Sequence, residues 1–532
     1  MFQKKFGSKK MWLAVAALLC GLASSSTAAG LPPKGQAEHV VVVVWDGMRP
    51  DFVTPRFTPN LFALASRGVF FKNHHAAYIS STEVNGTAIA TGTHPERSGI
   101  YANNDFRPVL GWLGPNATEG LDSVRRADFL TGGQYLLVPT VAEIIQQAGF
   151  PTVVAGAKPV VFLHDRSARR TKGAAKDSVL LYKGQTLPKS VLDSLVKVND
   201  DKAFPTNSSV PNKDIDAWTT KALTHGLWKK GVPKYSVLWL SDPDATQHSK
   251  GVYADEAIAA IANCDKLLGD VLRALEDKKV LAKTDLFVAS DHGFSTIRKG
   301  PDVMEALKKA KFKACRKFED PEPGEVLVVG HGGSTSLYVW EQDAKVIRDL
   351  VAFLQGSDFA GVIFSRLPIE GTFPMEQGKI SATNVTPDVV FSMRWSDERN
   401  EHGAPGLVYS DTGSRGAGTH ASLSRYDMNN TLVVAGPDFK KAVVNRLPSG
   451  SIDISPTTLW ILGIPQPKDS PMDGRVLTEA LAAVGTPEAQ PETTVINATR
   501  DLGWLRWKQY LKLTRLGATT YIDEGNGGCE MK

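Results

Sequence analysis

Four short apolar runs, each ending abruptly in polar or glycine residues, constrain this chain more than any other feature. They are HVVVVVWDG (39–47), YSVLWLSDPD (235–244), DLFVASDHG (285–293) and NTLVVAGPD (430–438). Val/Ile/Leu runs without alternation are what strands buried on both faces look like, so the expected fold is α/β with a central, mainly parallel sheet flanked by helices. Residues directly after such strands fall at the carboxyl edge, where open α/β sheets place their sites. The polar ends of the four runs are therefore expected to gather along one edge.

Helices are expected between the strands. TPNLFALASRG offers Thr58 as N-cap, Pro59 at the first helical position and Gly68 as a stop, and TVAEIIQQAG carries a Thr140/Glu143 capping box. ADEAIAAIANCDKLLGDVLRALED spaces Ile258, Ile261, Leu268, Val271, Leu272 and Leu275 for one helical face. Two segments interrupt the rhythm: a polar stretch over 166–215, and residues 300–415, which separate two site-bearing strands by more than one crossover needs. The second contains STSLYVW, AGVIFSR and DVVFSMRW and reads as a folded, cap-like insertion over the site edge. The expected organisation is a catalytic core over 30–299, the cap over 300–415, and a second part of the core over 416–532. RDLGWLRWKQYLKLTRLG is expected to end the chain as a packed helix, with Trp504 and Trp507 as core or interface anchors.

Residues 1–29 read as a secretory signal. Lys4, Lys5, Lys9 and Lys10 precede the 12-residue apolar run Met11–Leu22, and small residues follow for cleavage near Ala28 or Ala29. Cys20 admits a lipoprotein signal, for which Leu19 before it is a poor fit. The run is short for a bilayer span, and the expected location is periplasmic or secreted. Of the formal charge of +5, those four lysines supply four, leaving +1 on the mature chain. No basic stripe points to a nucleic-acid complex, and no second apolar stretch reaches spanning length. With 42% hydrophobic residues the chain can bury a large core. Cys264, Cys315 and Cys529 remain after processing, enough for one disulfide with a thiol left over, and none lies in a CxxC or CxxH pattern.

Taken singly, the polar clusters are ambiguous. Asp46 after a strand serves equally as a turn residue or a ligand, Asp244 and His248 are one helical turn apart, Asp291 and His292 adjoin a glycine, and His420 sits in the glycine-rich GAGTHAS. Together, three Asp and three His at strand ends or in one loop make the donor composition of a two-metal site. The stretch YISSTEVNGTAIATG (78–92) supplies hydroxyls beside it. Its bland reading is a helix cap, and its sharper one a nucleophile at a helix N-terminus.

At these residues the chain resembles the alkaline phosphatase superfamily, and within it the nucleotide pyrophosphatase/phosphodiesterase branch. The motifs are VVVVWDGMRPDF, TPNLFALASRGVFF, STEVNGTAIATGTHPERSGIYANN, SDPDATQHSKG, ASDHGFS, GTHAS, DISPTTLWILGIPQP and MDGRVL, in that order. The resemblance implies two Zn2+ ions, one on Asp244, His248 and His420, the other on Asp46, Asp291 and His292 with the nucleophile as a further ligand. The family's Thr-x-x-Asn signature falls on TEVN, which makes Thr82 the nucleophile, leaves Ser80 and Ser81 to turn chemistry and gives Asn85 a structural role. Asn103 matches the donor to a non-bridging phosphate oxygen. A zinc-ligated threonine alcohol is a competent alkoxide without a histidine base, and the start of a helix favours an approaching anion.

The chain departs from the branch where Glu83 and Val84 replace the usual Phe-Pro after the nucleophile. A carboxylate there would repel a phosphate if it pointed inward, so Glu83 is expected to face solvent or pair with a cation. Lys158 lies where monoesterase relatives hold the extra charge of a monoester dianion, with Arg166 as a weaker candidate and a surface lysine as the alternative. The implied function is hydrolysis of small phosphate esters, as a phosphodiesterase or nucleotide pyrophosphatase through phosphothreonine. The rivals are an alkaline phosphomonoesterase using Lys158 and a non-catalytic metal-binding module. A sulfatase is disfavoured because no C-x-P-x-R or S-x-P-x-R motif lies near residue 82.

Overall fold

A computed structural model of the chain describes residues 34–165, 176–206, 209–381, 385–469, 471–484 and 490–532. The expected signal with Cys20, Arg166 and part of the 166–215 stretch lie outside the described residues.

The central sheet has nine strands: β1 (His39–Trp45), β2 (Val69–Phe71), β3 (Thr152–Gly156), β4 (Val179–Tyr182), β5 (Gln185–Leu187), β6 (Tyr235–Leu240), β7 (Thr284–Ala289), β8 (Leu432–Ala435) and β9 (Val443–Asn445). Their spatial order is β9-β2-β8-β7-β1-β6-β3-β4-β5, with β7, β1, β6, β3 and β4 parallel to one another. The valines of β1 show why the runs lack alternation. Val40, Val42 and Val44 pack into one core with Ile89 and Leu459, while Val41 and Val43 face a second core with Ile261 and Leu268. Each fully buried Val contributes roughly 1.5–3 kcal/mol relative to exposure.

The run 430–438 differs from expectation. β8 is antiparallel to both neighbours, so Asp438 lies at the edge opposite Asp46 and accepts from the amides of Gln36 (2.6 Å) and Ala37 (2.9 Å). The start of β8 reaches the carboxyl edge of β7 instead: Asn430 Nδ2 donates to the carbonyls of Ser290 (2.6 Å) and Asp291 (3.0 Å).

Five helices bear on the site or its support: α1 (Pro59–Ala65), α2 (Thr82–Thr91), α3 (Val141–Gln147), α4 (Asp244–Lys250) and α5 (Asp255–Asp277). The capping box of α3 forms, with Thr140 Oγ1 accepting from the Glu143 amide at 3.2 Å and Glu143 Oε2 accepting from the Thr140 amide at 3.0 Å. Of the apolar stripe of α5, Ile261, Leu268, Val271 and Leu275 are buried, and Ile258 and Leu272 pack partly buried at its margin. α1 starts after Thr58, whose hydroxyl donates to the Phe52 carbonyl at 3.0 Å and caps nothing. It also ends before Gly68, which is needed for another reason: a Cβ there would lie 2.0 Å from the Val434 carbonyl oxygen.

Residues 303–393 carry a six-stranded sheet in the order 314–315, 326–330, 334–339, 389–393, 360–365 and 373–374, with helix Ala344–Gln355 on one face. Val326 and Val328 face that helix; Leu327 and Val329 face Tyr78, Ile79 and Tyr101. The alternation is that of a sheet buried on both sides. Residues 395–399 and 405–409 instead join 295–299 and 418–419 in a four-stranded sheet.

The C-terminal segment is not a helix. Glu492–Asp501, Leu505–Leu516 and Thr519–Met531 form a three-stranded antiparallel sheet. Trp507, Gln509 and Leu511 are buried at a spacing of two, a strand pattern that the high apolar content obscures. Trp507 is a core anchor whose Nε1 donates to the Gly371 carbonyl at 2.9 Å, whereas Trp504 is 93% exposed in the turn. This sheet braces both other parts: Ile363 exchanges two hydrogen bonds with the Gln509 side chain, the Gly525 amide donates to the Leu423 carbonyl at 2.9 Å, and Tyr521 donates to Asp453 Oδ2 at 2.8 Å. Cys264, Cys315 and Cys529 are all free thiols, so the disulfide that the composition permits is not formed among them. No helix among the described residues is long and apolar enough to cross a membrane.

Candidate metal centre and nucleophile

Asp46, Asp244 and Asp291 follow the adjacent parallel strands β1, β6 and β7, which brings three carboxylates to one edge. The Asp244/His248 spacing is one turn of α4. Ser295 pairs with Thr419 in the four-stranded sheet, and that pairing lays the His292 and His420 rings together at 3.8 Å and 19°. The result is two groups, Asp244/His248/His420 and Asp46/Asp291/His292, each with ligand atoms within 4.8 Å of one another.

The three imidazoles are oriented alike. Nδ1 of His248, His292 and His420 donates to the carbonyls of Gly418 (3.1 Å), Gly293 (2.9 Å) and Ser80 (3.0 Å). Each Nε2 is thereby turned inward, that of His292 towards Thr82 Oγ1 and that of His248 towards Asp244 Oδ1, both at 3.3 Å, which is the orientation of a metal-ligating histidine. Facing them, Asp46 Oδ1, Asp244 Oδ1 and Asp291 Oδ2 are buried and have no hydrogen-bond partner among the described residues. Orphaned buried carboxylate oxygens opposite inward-turned imidazole nitrogens fit two divalent cations with mixed N/O ligands.

Burial, and then Asp291, push the Asp46 carboxyl up to about 8; burial likewise lifts Asp291 to about 7. Burial would raise Asp244 too, but Lys158, His248 and His420 outweigh it and hold the group well below the carboxylate range. Burial lowers His292, and His420 further with help from the neighbouring rings, which keeps both in the neutral, ligating form. The Lys158 ammonium joins the two groups, 2.9 Å from Asp46 Oδ2 and 3.0 Å from Asp244 Oδ2. Lys158 is therefore no free surface lysine.

Thr82 opens α2, with Oγ1 3.3 Å from His292 Nε2 and 3.5 Å from Lys158 Nζ. α2 is buried all round, which explains a sequence neither strand-like nor amphipathic; Thr87 and Thr91 turn their hydroxyls onto the carbonyls four residues back, both at 2.7 Å. Asn85 locks the helix entry, accepting from the Ala77 amide at 2.7 Å and donating to the Ala77 (3.1 Å) and Ser81 (3.2 Å) carbonyls. Ser80 Oγ donates to the Ser422 carbonyl at 2.7 Å, and Ser81 is the N-cap without a side-chain cap bond. Asn103 Oδ1 accepts from the Glu83 amide at 3.2 Å, which sets the Asn103 side chain at the N-terminus of α2.

Of the two expectations for Glu83, the solvent-facing one fails, while the cation acting on it is Lys158. Glu83 is buried, its carboxyl raised well above the usual range by burial and then by Glu119, with Lys158 opposing. It does not face solvent, and Oε2 has no hydrogen-bond partner among the described residues. Two neighbours escaped the sequence reading. Glu119 gave no signal, lying in a loop segment. Trp239, whose Nε1 donates to Asp46 Oδ2 at 2.9 Å, did: an indole in a buried aliphatic strand needs an acceptor.

The profile of the family described as "Type I phosphodiesterase / nucleotide pyrophosphatase" matches residues 40–354. Venom phosphodiesterase of Macrovipera lebetinus is 26% identical over 279 residues, 52% of this chain and 28% of the venom protein. Human ectonucleotide pyrophosphatase/phosphodiesterase family member 5 is 25% identical over 285 residues, 53% of this chain and 50% of the human protein. The matches thus span half or less of these relatives' lengths. The solved structure of the murine member 5 superposes with a TM-score of 0.59 at 18% identity, covering 84% of this chain and all of the murine one, and shares the fold. With its profile matched over more than half its length and the alkaline-phosphatase-like fold in place, the chain belongs to the type I phosphodiesterase / nucleotide pyrophosphatase family of the alkaline phosphatase superfamily.

Proposed function

We propose that the chain is a secreted phosphohydrolase with two zinc ions, acting on phosphodiesters or nucleotide pyrophosphates through a phosphothreonine at Thr82. The observation that carries this reading is Thr82 Oγ1 lying 3.3 Å from His292 Nε2 of one group and 3.5 Å from the Lys158 ammonium that joins that group to the other. Asp46, Asp291 and His292 would hold one ion, and Asp244, His248 and His420 the other. Such ions supply Lewis-acid neutralisation around phosphorus and make the attacking alcohol and water more acidic.

The chain's own residues account for the rest. Thr82 Oγ1 gives up its proton to solvent and attacks phosphorus as the bond to the leaving oxygen breaks, the group leaving as an alcohol that takes up a proton from solvent or, from a pyrophosphate, as a phosphate. The helix start at Thr82 places backbone N–H groups and the positive end of α2 towards the phosphate oxygens. Asn103, held at that start, offers its amide N–H to a non-bridging oxygen. Water then cleaves the phosphothreonine and restores the Thr82 hydroxyl.

A second reading, phosphomonoester hydrolysis, is favoured by the Lys158 ammonium 3.5 Å from Thr82 Oγ1, where it can meet the extra charge of a dianion. Acid-quenched turnover followed by peptide mass spectrometry tests the common mechanism: phosphate on Thr82 is expected, absent in Thr82→Ala. Turnover retained by zinc-loaded Thr82→Ala would overturn it. A substrate panel of aryl monoesters, aryl diesters and dinucleoside polyphosphates then separates the two readings.

A further inference from the structure

We propose that Trp239 is a positioning residue that sets which oxygen of Asp46 is offered to the metal and holds the nucleophile helix against the same point. Trp239 lies in β6 and is fully buried. Its Nε1 donates to Asp46 Oδ2 at 2.9 Å, while Asp46 Oδ1 is left without a hydrogen-bond partner among the described residues and lies 3.6 Å from His292 Nε2. One oxygen is thus tied to the protein and the other turned to the ligand group.

The far edge of the same indole supports α2. A Cβ on Gly86 would fall 3.2 Å from Trp239 Cη2 and 2.5 Å from Val160 Cγ2, so the helix backbone lies almost directly on the ring. Gly86 is four residues after Thr82, one turn along the helix. His164 closes the remaining side edge-on, its ring centroid 5.6 Å away. The indole thus touches Asp46 at its N–H and lies beside α2 at its far edge.

Without the indole N–H, Oδ2 keeps only the Lys158 ammonium as partner, and the carboxylate is free to rotate or to present both oxygens. Loss of a group that orients a ligand typically weakens metal binding about 10–100-fold. The weakening should be confined to the Asp46/Asp291/His292 group, because the indole makes no hydrogen bond to the other.

This inference rests on the two-metal reading above but is tested without turnover. The test replaces the Trp239 indole by benzothiophene, which keeps shape and removes the donor, alongside Trp239→Phe and Gly86→Ala. Chelator competition with zinc on the full chain should show one of two sites weakened about tenfold or more in the benzothiophene and Phe variants. The other site should be unchanged, and the metal-free benzothiophene variant should still melt cooperatively, lower only by the few degrees that one buried hydrogen bond costs. In Gly86→Ala, whose added Cβ meets Val160 first and the ring second and leaves the N–H, both zinc affinities should hold while kcat falls. Two zinc affinities within twofold of the parent in the benzothiophene variant would overturn the proposal, as would equal weakening of both sites. A parent that binds two zinc ions but hydrolyses no phosphate ester defeats the functional reading and leaves this one standing.

Discussion

The imidazole Nδ1 of His420 donates to the backbone carbonyl of Ser80 at 3.0 Å, joining the loop of His420 to the residue two before Thr82. The Ala421 amide donates to the same carbonyl, at 2.9 Å, and the Ser80 hydroxyl returns a bond to Ser422. The two loops therefore move as one piece. Ser80→Ala removes one buried hydrogen bond of the three and should cost about 1 kcal/mol of stability. Zinc affinity at Asp244/His248/His420 should fall several-fold, read by chelator competition, with the other site unaffected.

Metal binding should release protons. In the metal-free protein Asp46 is raised to about 8 and Asp291 to about 7, both mainly by burial, and both must ionise to ligate. Zinc affinity is therefore expected to rise with pH until it passes these values and to flatten above them. Calorimetric titration in two buffers of different ionisation enthalpy gives the proton count, expected above one at pH 6 and near zero at pH 9. The stability contribution runs the other way. Carboxyls raised above their unfolded values favour the metal-free fold at low pH and lose that contribution as pH climbs through about 7 to 8.

Glu83→Gln removes a buried carboxyl whose proton affinity burial and Glu119 have raised. The folded wild type prefers the protonated form, so its stability contribution is present at low pH and lost as pH rises through that raised value. The Gln variant should match the parent at pH 5 and exceed it at pH 9 by about 1–2 kcal/mol. Urea midpoints at the two pH values measure the difference.

Lys158→Ala should discriminate between esters. If the ammonium meets the second charge of a monoester dianion, its loss lowers kcat/KM for an aryl monoester about tenfold more than for the matching diester, since hydrogen bonds to charged groups contribute about 1.5–3 kcal/mol. Equal losses would assign Lys158 to charge balance between Asp46 and Asp244 instead.

The sequence carried the ligand set because each Asp sits within four residues of a buried parallel strand, so strand direction alone delivers Asp46, Asp244 and Asp291 to one edge. His420 was legible only in concert with them. What brings it there is the pairing of Ser295 with Thr419, a two-residue bridge between segments distant in sequence that leaves no pattern in either. The burial of Glu83 was not legible because α2 is buried on every face, so no alternation of apolar and polar positions marks an inward side. At 505–516 the tally of apolar residues pointed to a helix, whereas the alternation of Trp507, Gln509 and Leu511 determined the strand.

The closing three-stranded sheet also governs when the site can be completed. During synthesis the chain emerges from its N-terminus, so Asp46, Thr82, Asp244 and Asp291 are present long before residue 525. Yet the loop that carries His420 continues to Leu423, whose carbonyl receives the Gly525 amide, and Ile363 of the inserted sheet waits on Gln509. A chain cut short of these residues would lack the bonds from Gln509 and Gly525, and the loop of His420 would lose its brace at Leu423.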